Sequence, residues 1–390
     1  MKALRLWLAA MLICYCLICF NVTASSAEEP ELDLKAEAAL LMEVHSGKII
    51  WEMNSRTKLY PASITKIMSL LIVLEQLEQE QVSLTDRVTV SARASSMGGS
   101  ELFLSEGDIV SLEDLLIGMA VGSANDAAVA VAEHVGGSVE GFVEMMNEKA
   151  SQLGMNQSHF CNPHGLHDPD HYSTAYDVML MSVAIMDYPL IHQWATIWMD
   201  EHFLKDKIRS GEVYLSNTNR MVRSYQGCDG LKTGFTNEAG NGISVTARRG
   251  QTRFLAVVLG SPTVDDRYTA ARTLLDYGFG KYKSVPVIDE GMVVANAAVD
   301  KGLPQRINIV TVHRLALLLS CGAEETFEKE IVLQPLEPPL QQGQKVGELV
   351  ATFNEGEQVK VDLVAAEAVT RASQPILFAR LLDHWLRFGR

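Results

Sequence analysis

The sequence is short of the features that mark several large classes of protein. It carries 33 basic residues against 48 acidic ones, a net charge of −15, which disfavours duplex nucleic acid as a partner. It contains neither GxxxxGK[ST] nor GxGxxG, the patterns of phosphate-binding loops. Three of its six cysteines lie near the N-terminus, and the other three, Cys161, Cys228 and Cys321, predict no disulfide framework. A chain without disulfides must be held together by its hydrophobic core.

The N-terminus carries an apolar run with a basic start. Lys2 and Arg5 precede apolar residues 6–20, and small residues follow as far as Ala27. This order is typical of a secretory signal peptide, whereas a membrane span needs about 20 apolar residues. The sequence therefore predicts an exported protein from which residues 1–27 are removed. The alternative is an uncleaved membrane anchor.

Strand-like and helical patterns follow one another along the next 250 or so residues. Residues 39–53 are typical of a hairpin, and 243–259 of a second antiparallel pair joined across Arg249 and Gly250. Strands at both ends of this order with helices between them favour an α+β layer fold. The helical patterns lie at residues 62–79, 112–134, 139–153 and 267–277. The second of them has a polar interruption near Ser123.

The composition changes after about Lys283. Residues 284–370 are rich in valine, with short alternating runs such as 358–363 and turns such as 354–356, which predicts a small all-β domain. Residues 371–390 place apolar and charged side chains on opposite halves of a helix. That helix is too short and too charged to span a bilayer, but it suits the surface of a membrane with anionic lipids. The alternative is a helix docked on the protein's own surface.

A serine and a lysine three positions apart open the first long helical pattern. They belong to residues 61–66, PASITK, and share one helix face, so Lys66 can hydrogen-bond Ser63. A serine hydroxyl needs an adjacent base to attack, and a lysine kept from water can lose its proton and serve as that base. The spacing alone is weak, because Ser55 and Lys58 repeat it. That second match opens no helix and is predicted to be a solvated loop.

Two further patterns offer groups for the same chemistry. Ser123 and Asn125 interrupt an apolar stretch, where a hydroxyl can relay a proton and a carboxamide can grip a peptide bond. Either residue could instead simply cap a helix. In a later strand-like segment, Lys232 could meet a carboxylate, Thr233 follows it, and Gly234 would let an extended peptide approach. The alternative for this segment is a solvent-facing strand start.

Taken together, the three patterns resemble the signature set of serine penicillin-binding proteins and β-lactamases. Residues 60–68, 162–166, 171–177 and 227–240 are similar to low-molecular-weight D-alanyl-D-alanine carboxypeptidases, as are the trailing β domain and the amphipathic C-terminus. The resemblance implies a transpeptidase-like α+β catalytic domain at residues 28–283, built from an antiparallel sheet and helices. It implies no metal and no organic cofactor.

The resemblance also implies a role for each motif residue. Ser63 would form an acyl-enzyme, Lys66 would accept its proton, Ser123 would pass a proton to the leaving D-alanine, and Asn125 would hold the stem-peptide backbone. The other implied substrate-binding residues are Lys232 and Thr233, which would bind the terminal carboxylate, with Gly234 beside them. Phe235 is also implied, because its backbone N–H and that of Ser63 would form an oxyanion hole.

The implied reaction removes the last D-alanine from peptidoglycan stem peptides that end in D-Ala-D-Ala. It would take place at the outer face of the cytoplasmic membrane, facing the cell wall or periplasm, with the C-terminal helix on the membrane surface. β-Lactam antibiotics would inhibit by forming a slowly cleared ester at Ser63. A DD-endopeptidase or transpeptidase and a β-lactamase are alternatives on the same scaffold, although the Glu-x-x-Leu-Asn stretch of class A β-lactamases is absent between Asn125 and Lys232.

Two other classes of function compete with this interpretation. A non-catalytic wall-binding protein is expected to have lost part of the three patterns, which are all intact. A zinc enzyme is the second alternative, because one loop is crowded with residues of metal-ligating type. These residues are Cys161, His164, His167, Asp168, Asp170 and His171.

Overall fold

The computed structural model describes residues 32–323, 326–353 and 358–388. The predicted signal peptide at residues 1–27 and the turn predicted at 354–356 lie outside the described residues. Everything below concerns the compact unit that begins at Leu34. Within the described ranges, no helix combines the length and the apolar character needed to cross a membrane.

A five-stranded antiparallel sheet, in the order β2-β1-β9-β8-β7, organises the larger part of the chain. Both predicted strand pairs are confirmed in it. All six residues of β1 are buried, as are most of β9, so continuous apolar runs here mark strands covered on both faces. The strands of this part are β1 (Ala38–Glu43), β2 (Lys48–Met53), β3 (Arg87–Thr89), β4 (Ile109–Ser111), β5 (Met199–Ile208), β6 (Gly211–Ser216), β7 (Cys228–Thr236), β8 (Gly240–Arg249) and β9 (Thr252–Ser261).

Helices cover the sheet and form the main hydrophobic core. Every residue of the first long helix from Lys66 to Leu74 is buried, because the helix runs through the centre of the helical region. Serine and threonine side chains cap several helices, and Thr263 for example accepts a hydrogen bond from the Asp266 N–H. The helices are α1 (Lys66–Glu78), α2 (Ala92–Ser95), α3 (Leu112–Ile117), α4 (Asn125–Gly136), α5 (Val139–Gln152), α6 (Ala175–Ile185), α7 (Pro189–Ala195), α8 (Met221–Ser224) and α9 (Val264–Lys281).

One predicted helix begins differently in the structure, and one predicted interruption is confirmed, both near the site. Residues Ala62–Thr65 form a 3₁₀ turn, and the α-helix begins only at Lys66. The helical stretch predicted at 112–134 is divided by a π-helical turn, Gly118–Gly122, and by Ser123, whose φ of 65° is left-handed. A left-handed residue cannot continue a helix, so Ser123 ends one segment and α4 begins just after it.

The remaining strands build a second, smaller core from valine, isoleucine and leucine side chains. Its main sheet has the order β11-β13-β17-β16-β15, again antiparallel, with β10 paired to β14 and β12 to β18. This part of the chain therefore consists of β-strands, as the sequence predicted for residues 284–370. The strands are β10 (Tyr282–Ile288), β11 (Val293–Ala298), β12 (Gly302–Leu303), β13 (Arg306–Thr311), β14 (Leu315–Ser320), β15 (Phe327–Leu333), β16 (Lys345–Phe353), β17 (Gln358–Ala365) and β18 (Thr370–Arg371).

A final helix, α10 (Gln374–Phe388), follows the β region. Its apolar face is exposed: the relative exposures of Phe378, Leu381 and Trp385 are 63%, 68% and 73%. On the other face, Arg380 donates a hydrogen bond to the carbonyl oxygen of Gly302 at 3.0 Å. The predicted division of this helix into an apolar and a charged half is therefore present, and most of the apolar half is exposed, whereas Leu377 is half-buried beside the β region.

Candidate active site

Ser63 lies on the 3₁₀ turn immediately before α1, and this turn is held between a strand and a loop. On one side is Gly234 of β7, where an added Cβ would lie 2.8 Å from the carbonyl oxygen of Pro61. On the other is Gly165, where an added Cβ would overlap the carbonyl oxygen of Ala62. Glycine at both positions lets the turn sit this closely, so the backbone that approaches Gly234 is that of the serine turn itself.

Lys66 is fully buried, and its amine has three oxygen partners. Its Nζ lies 2.7 Å from Oδ1 of Asn125, 2.8 Å from the carbonyl oxygen of His164 and 3.2 Å from Oγ of Ser63. An amide oxygen and a backbone carbonyl can only accept hydrogen bonds, so each takes one N–H of the lysine. A neutral amine has two N–H groups and a lone pair, which leaves the lone pair for the hydroxyl of Ser63. The three contacts therefore aim the basic electrons of Lys66 at Ser63.

The electrostatics of the site favour neutral amines. Burial lowers the pKa of Lys66 well below its usual value, the charge of Lys232 lowers it further, and Asp126 opposes the shift. Burial, with a smaller effect of Arg267, lowers the pKa of Lys232 to about 7. Removing an ammonium from water costs free energy, which is why both shifts are downward. Strongly perturbed lysines at the edge of a cleft are typical of a catalytic site.

The second motif, Ser123 and Asn125, lies beside the first, Ser63 and Lys66. Ser123 lines the cavity in front of Ser63, whereas Asn125, at the start of α4, is buried behind it. The amide of Asn125 is bonded at both ends within the protein, since Nδ2 donates to the carbonyl oxygen of Gly98 at 2.7 Å and Oδ1 accepts from Lys66. The side chain thus positions Lys66, a contact that the sequence did not indicate.

The third motif lies on β7, the edge strand of the sheet. Lys232 is buried and donates to the carbonyl oxygen of Thr233 at 3.2 Å, and Thr233 donates to the hydroxyl of Thr218 at 2.9 Å. The side chain of Phe235 is 58% exposed and faces the cavity. Cys228, at the start of the strand, is buried and points at the carbonyl oxygen of Gly230, and burial raises its pKa to about 11. Its thiol is therefore kept out of the chemistry.

The three motifs meet at a cavity of about 570 Å³. Five of the eight predicted site residues line it, while Lys66, Asn125 and Lys232 stand behind the lining as buried polar groups. The lining residues that were predicted are Ser63, Ser123, Thr233, Gly234 and Phe235, and those that sequence reasoning missed are Ser100, Thr218, Asn241, Pro262, Thr263, Val264 and Arg267.

Arg267 is a missed residue that contacts the strand edge of the site. It is buried below β7, and its guanidinium donates to the carbonyl oxygens of Gly234 and Gly242, each at 3.4 Å. In the sequence it follows Asp265 and Asp266 at the start of a helix, a context typical of an exposed position. Only the packing of α9 under the sheet turns it inward, so no local signal could have identified it.

The loop rich in metal-ligating residues is held by hydrogen bonds. His171 contacts the hydroxyl of Thr65 at 2.8 Å through Nε2 and the Cys161 N–H at 3.1 Å through Nδ1. Nδ1 of His164 accepts from the Leu166 N–H at 3.1 Å. Among the described residues, no group of three or more His, Cys, Asp or Glu side chains is placed to hold a metal ion.

The second Ser-x-x-Lys match is only partly a solvated loop. Lys58 is exposed and lies 4.0 Å from the centre of the Tyr172 ring. The prediction is wrong for Ser55, which is buried and whose carbonyl oxygen accepts the Tyr176 N–H at the start of α6. Its hydroxyl donates to Glu52.

Comparison with known proteins finds matches over both the larger part of the chain and the β region. A family model described as D-alanyl-D-alanine carboxypeptidase matches residues 23–263, and one described as the C-terminal domain of penicillin-binding protein 5 matches residues 282–371. The D-alanyl-D-alanine carboxypeptidase DacF of Bacillus subtilis (strain 168) is 35% identical over 98% of this chain and 99% of its own.

Two solved structures extend the likeness to three dimensions. Penicillin-binding protein 5 from Haemophilus influenzae superposes with a TM-score of 0.72 at 29% identity, covering 88% of this chain and 99% of the other. Penicillin-binding protein D2 from Listeria monocytogenes, in its ampicillin-bound form, gives a TM-score of 0.57 at 30% identity, covering 64% of this chain and 100% of the other. The predicted fold, a transpeptidase-like α+β domain followed by a β domain, is thereby confirmed. The chain belongs to the D-alanyl-D-alanine carboxypeptidase family of penicillin-binding proteins, which are serine-type hydrolases.

Proposed function

We propose that this D-alanyl-D-alanine carboxypeptidase removes the terminal D-alanine of peptidoglycan pentapeptides through an acyl-enzyme at Ser63. The observation that carries the proposal is the fully buried amine of Lys66, which two fixed acceptors direct at the serine hydroxyl. Family membership supports the reaction and the binding of β-lactams at the same site.

Acylation begins with a proton transfer along the contact between Ser63 and Lys66. As Oγ attacks the carbonyl carbon of the penultimate D-alanine, its proton moves to the neutral amine of Lys66. The backbone N–H groups of Ser63 and Phe235 would stabilise the oxyanion that develops. Ser123 would give its proton to the amine of the terminal D-alanine as the C–N bond breaks and would take the proton held by Lys66 in its place, which returns the lysine to its neutral form. Water then attacks the ester while Lys66 takes one of its protons, and Lys66 passes this proton to Oγ of Ser63 as the ester C–O bond breaks and the tetrapeptide leaves.

The substrate's terminal carboxylate would bind where β7 meets the cavity. Thr233 lines the cavity there, and Lys232 lies just behind it as a cation when protonated. A carboxylate brought beside Lys232 would raise its pKa and hold it in the charged form. Phe235 closes this end of the cavity with an apolar surface.

Residues 28–283 would form the complete catalytic domain, with residues 284–370 as a separate β domain.

We further propose that the enzyme works outside the cell, at the outer face of the cytoplasmic membrane, facing the cell wall or periplasm. The basic and apolar pattern of residues 1–27 supports export. The helix within residues 371–390 supports attachment, since the exposed face of α10 presents Phe378, Leu381 and Trp385 where lipid could cover them.

The proposed activity is tested by product analysis on three substrates: a pentapeptide, a cross-linked muropeptide dimer and benzylpenicillin. We expect free D-alanine from the pentapeptide, little cleavage of the dimer, and a stable ester with the penicillin. Faster cleavage of the dimer would make the protein an endopeptidase, and rapid penicillin turnover would make it a β-lactamase. The Ser63→Ala variant should be inactive on all three, and Ser55→Ala should match the wild type.

A further inference from the structure

We propose that His171 is a positioning residue for acylation: it fixes the loop formed by residues 161–171 against the segment that carries Ser63 and Lys66. The inference rests on the proposed roles of that serine and lysine. It concerns a histidine that the sequence marked only as a possible metal ligand.

The contacts of His171 determine which ring nitrogen carries the proton. The ring is buried, and its Nδ1 lies 3.1 Å from the backbone nitrogen of Cys161. A backbone N–H can only donate, so Nδ1 must accept and the proton of the neutral ring must be on Nε2. Nε2 therefore donates to the hydroxyl of Thr65, 2.8 Å away. The ring also makes a T-shaped contact with Phe160, with ring centres 5.6 Å apart, which helps to fix its orientation.

Thr65 connects this histidine to the reacting groups. It lies between Ser63 and Lys66, at the junction of the 3₁₀ turn and α1, and is fully buried. At the other end, the bond to Cys161 ties the histidine to the start of its own loop. His171 thus joins both ends of the loop to the nucleophile segment, with one hydrogen bond on each side of its ring.

The same loop also holds α1 directly. The carbonyl oxygen of His164 accepts from Nζ of Lys66 at 2.8 Å, and that of Pro163 accepts from the hydroxyl of Ser69 at 2.7 Å. The His164 carbonyl is one of the two acceptors that direct the lysine at Ser63. If the loop moves, Lys66 loses that acceptor and gains access to water, so its lone pair is no longer aimed at the serine. Displacements of about 1 Å at a reacting group can slow a reaction about 100-fold.

A purely structural role for His171 would have a different signature from a positioning role. A structural residue affects the unfolding temperature and leaves the chemistry of the folded fraction unchanged. A positioning residue affects the rate of acylation in protein that is fully folded and still binds its ligand. Acylation by a penicillin separates the two, because the dissociation constant of the first complex and the rate constant of ester formation can be measured independently.

The test compares His171→Ala, His171→Gln and Thr65→Val in the full chain, using a fluorescent penicillin and stopped-flow mixing, with unfolding followed by circular dichroism. We expect His171→Ala to lower the acylation rate constant by about 10- to 100-fold, with the dissociation constant within about twofold of wild type. Glutamine can donate an N–H from a position similar to Nε2, so His171→Gln should recover part of the rate. The double variant with Thr65→Val should be little slower than His171→Ala, because both remove the same bond.

The matched control is His202→Gln, which changes an exposed histidine of β5 and should acylate as the wild type does. The inference is overturned if folded His171→Ala acylates at the wild-type rate, or if the two single losses multiply in the double variant. Should His171→Ala fail to fold, Thr65→Val removes only a hydroxyl and decides the question by the same criterion. If the wild type itself takes no label on Ser63, it is the proposed function that fails and not this inference alone.

Discussion

The amine of Lys66 lies 2.7 Å from the side-chain oxygen of Asn125, so the second sequence motif is bonded directly to the first. This contact gives Asn125 a function before any substrate arrives. Its amide oxygen occupies one N–H of the lysine and thereby helps to direct the lone pair at Ser63. A site assembled in this way needs a neutral acceptor at position 125, and that requirement can be tested.

Replacing Asn125 by aspartate should move the pH dependence of acylation to higher pH. A carboxylate beside Lys66 favours the ammonium and raises the pKa of the lysine, whereas burial in the wild type lowers it. Acylation needs the neutral amine, so the pH at which the rate is half-maximal should rise with the pKa of Lys66 in the Asn125→Asp variant, and the rate should fall about tenfold for each pH unit below that midpoint. The rate should recover as the pH increases. The exposed Asn156→Asp is the control, and an unshifted profile in Asn125→Asp would contradict the assigned contact.

The two buried lysines should give kcat/KM for the pentapeptide a bell-shaped pH dependence. Lys66 must be neutral to act as a base, which produces the acidic limb, and Lys232 must be charged to attract the carboxylate, which produces the alkaline limb. Because the pKa of Lys232 is lowered to about 7, activity should begin to fall above that pH. Lys232→Gln should lower kcat/KM and flatten the alkaline limb. A limb unchanged in this variant would assign the titration to another group.

Adding a methyl group at Gly234 should damage both stability and acylation. The new Cβ would lie 2.8 Å from the carbonyl oxygen of Pro61, so the serine turn or β7 must shift. We expect Gly234→Ala to lower the free energy of unfolding in urea by about 1–3 kcal/mol and to slow penicillin labelling of the remaining folded protein. Gly280 in α9 is the matched control, since nothing lies within 4 Å of its added Cβ. Gly280→Ala should be neutral or stabilise the protein by up to about 1 kcal/mol. Equal effects of the two substitutions would refute this account of the turn.

The exposed face of α10 should bind lipid bilayers. Trp385→Glu and Leu381→Glu each replace an exposed apolar side chain with a charge, and each should weaken binding to phosphatidylglycerol-containing vesicles at least about tenfold. Cosedimentation measures the binding, and activity on a soluble pentapeptide should be unchanged. Tyr214→Glu, at an aromatic residue of β6 that is 59% exposed, is the control. If the α10 variants bind vesicles as tightly as this control, the helix has another partner.

Much of the fold was predictable because its apolar periodicity is strong. The hairpin of β1 and β2, the helix α1 and the pair of β8 and β9 all follow from local patterns of side chains. The break near Ser123 was also visible, since a polar interruption after a glycine rarely continues a helix. The 3₁₀ turn at Ser63 was not visible, because the residues packed closely against it, Gly165 and Gly234, come from distant parts of the chain.

The residues of the site likewise fall into those that local sequence could predict and those that it could not. Ser63, Ser123 and Thr233 belong to short motifs whose spacing indicates their chemistry, and the structure brings them to one cavity. Thr218 and Arg267 lie in segments with no distinguishing pattern, and only tertiary packing brings them there. The contact between Asn125 and Lys66 joins positions 59 residues apart, a distance over which local sequence has no information.

The central claim is that Ser63 carries the acyl group, and peptide mass spectrometry of the benzylpenicillin adduct tests it most directly. The account predicts one penicilloyl group on the peptide that contains Ser63, in the wild type and in Ser55→Ala, and none in Ser63→Ala. Release of D-alanine from a pentapeptide should be lost in the same variant. An adduct on any other residue, or D-alanine release that survives in Ser63→Ala, would contradict the account.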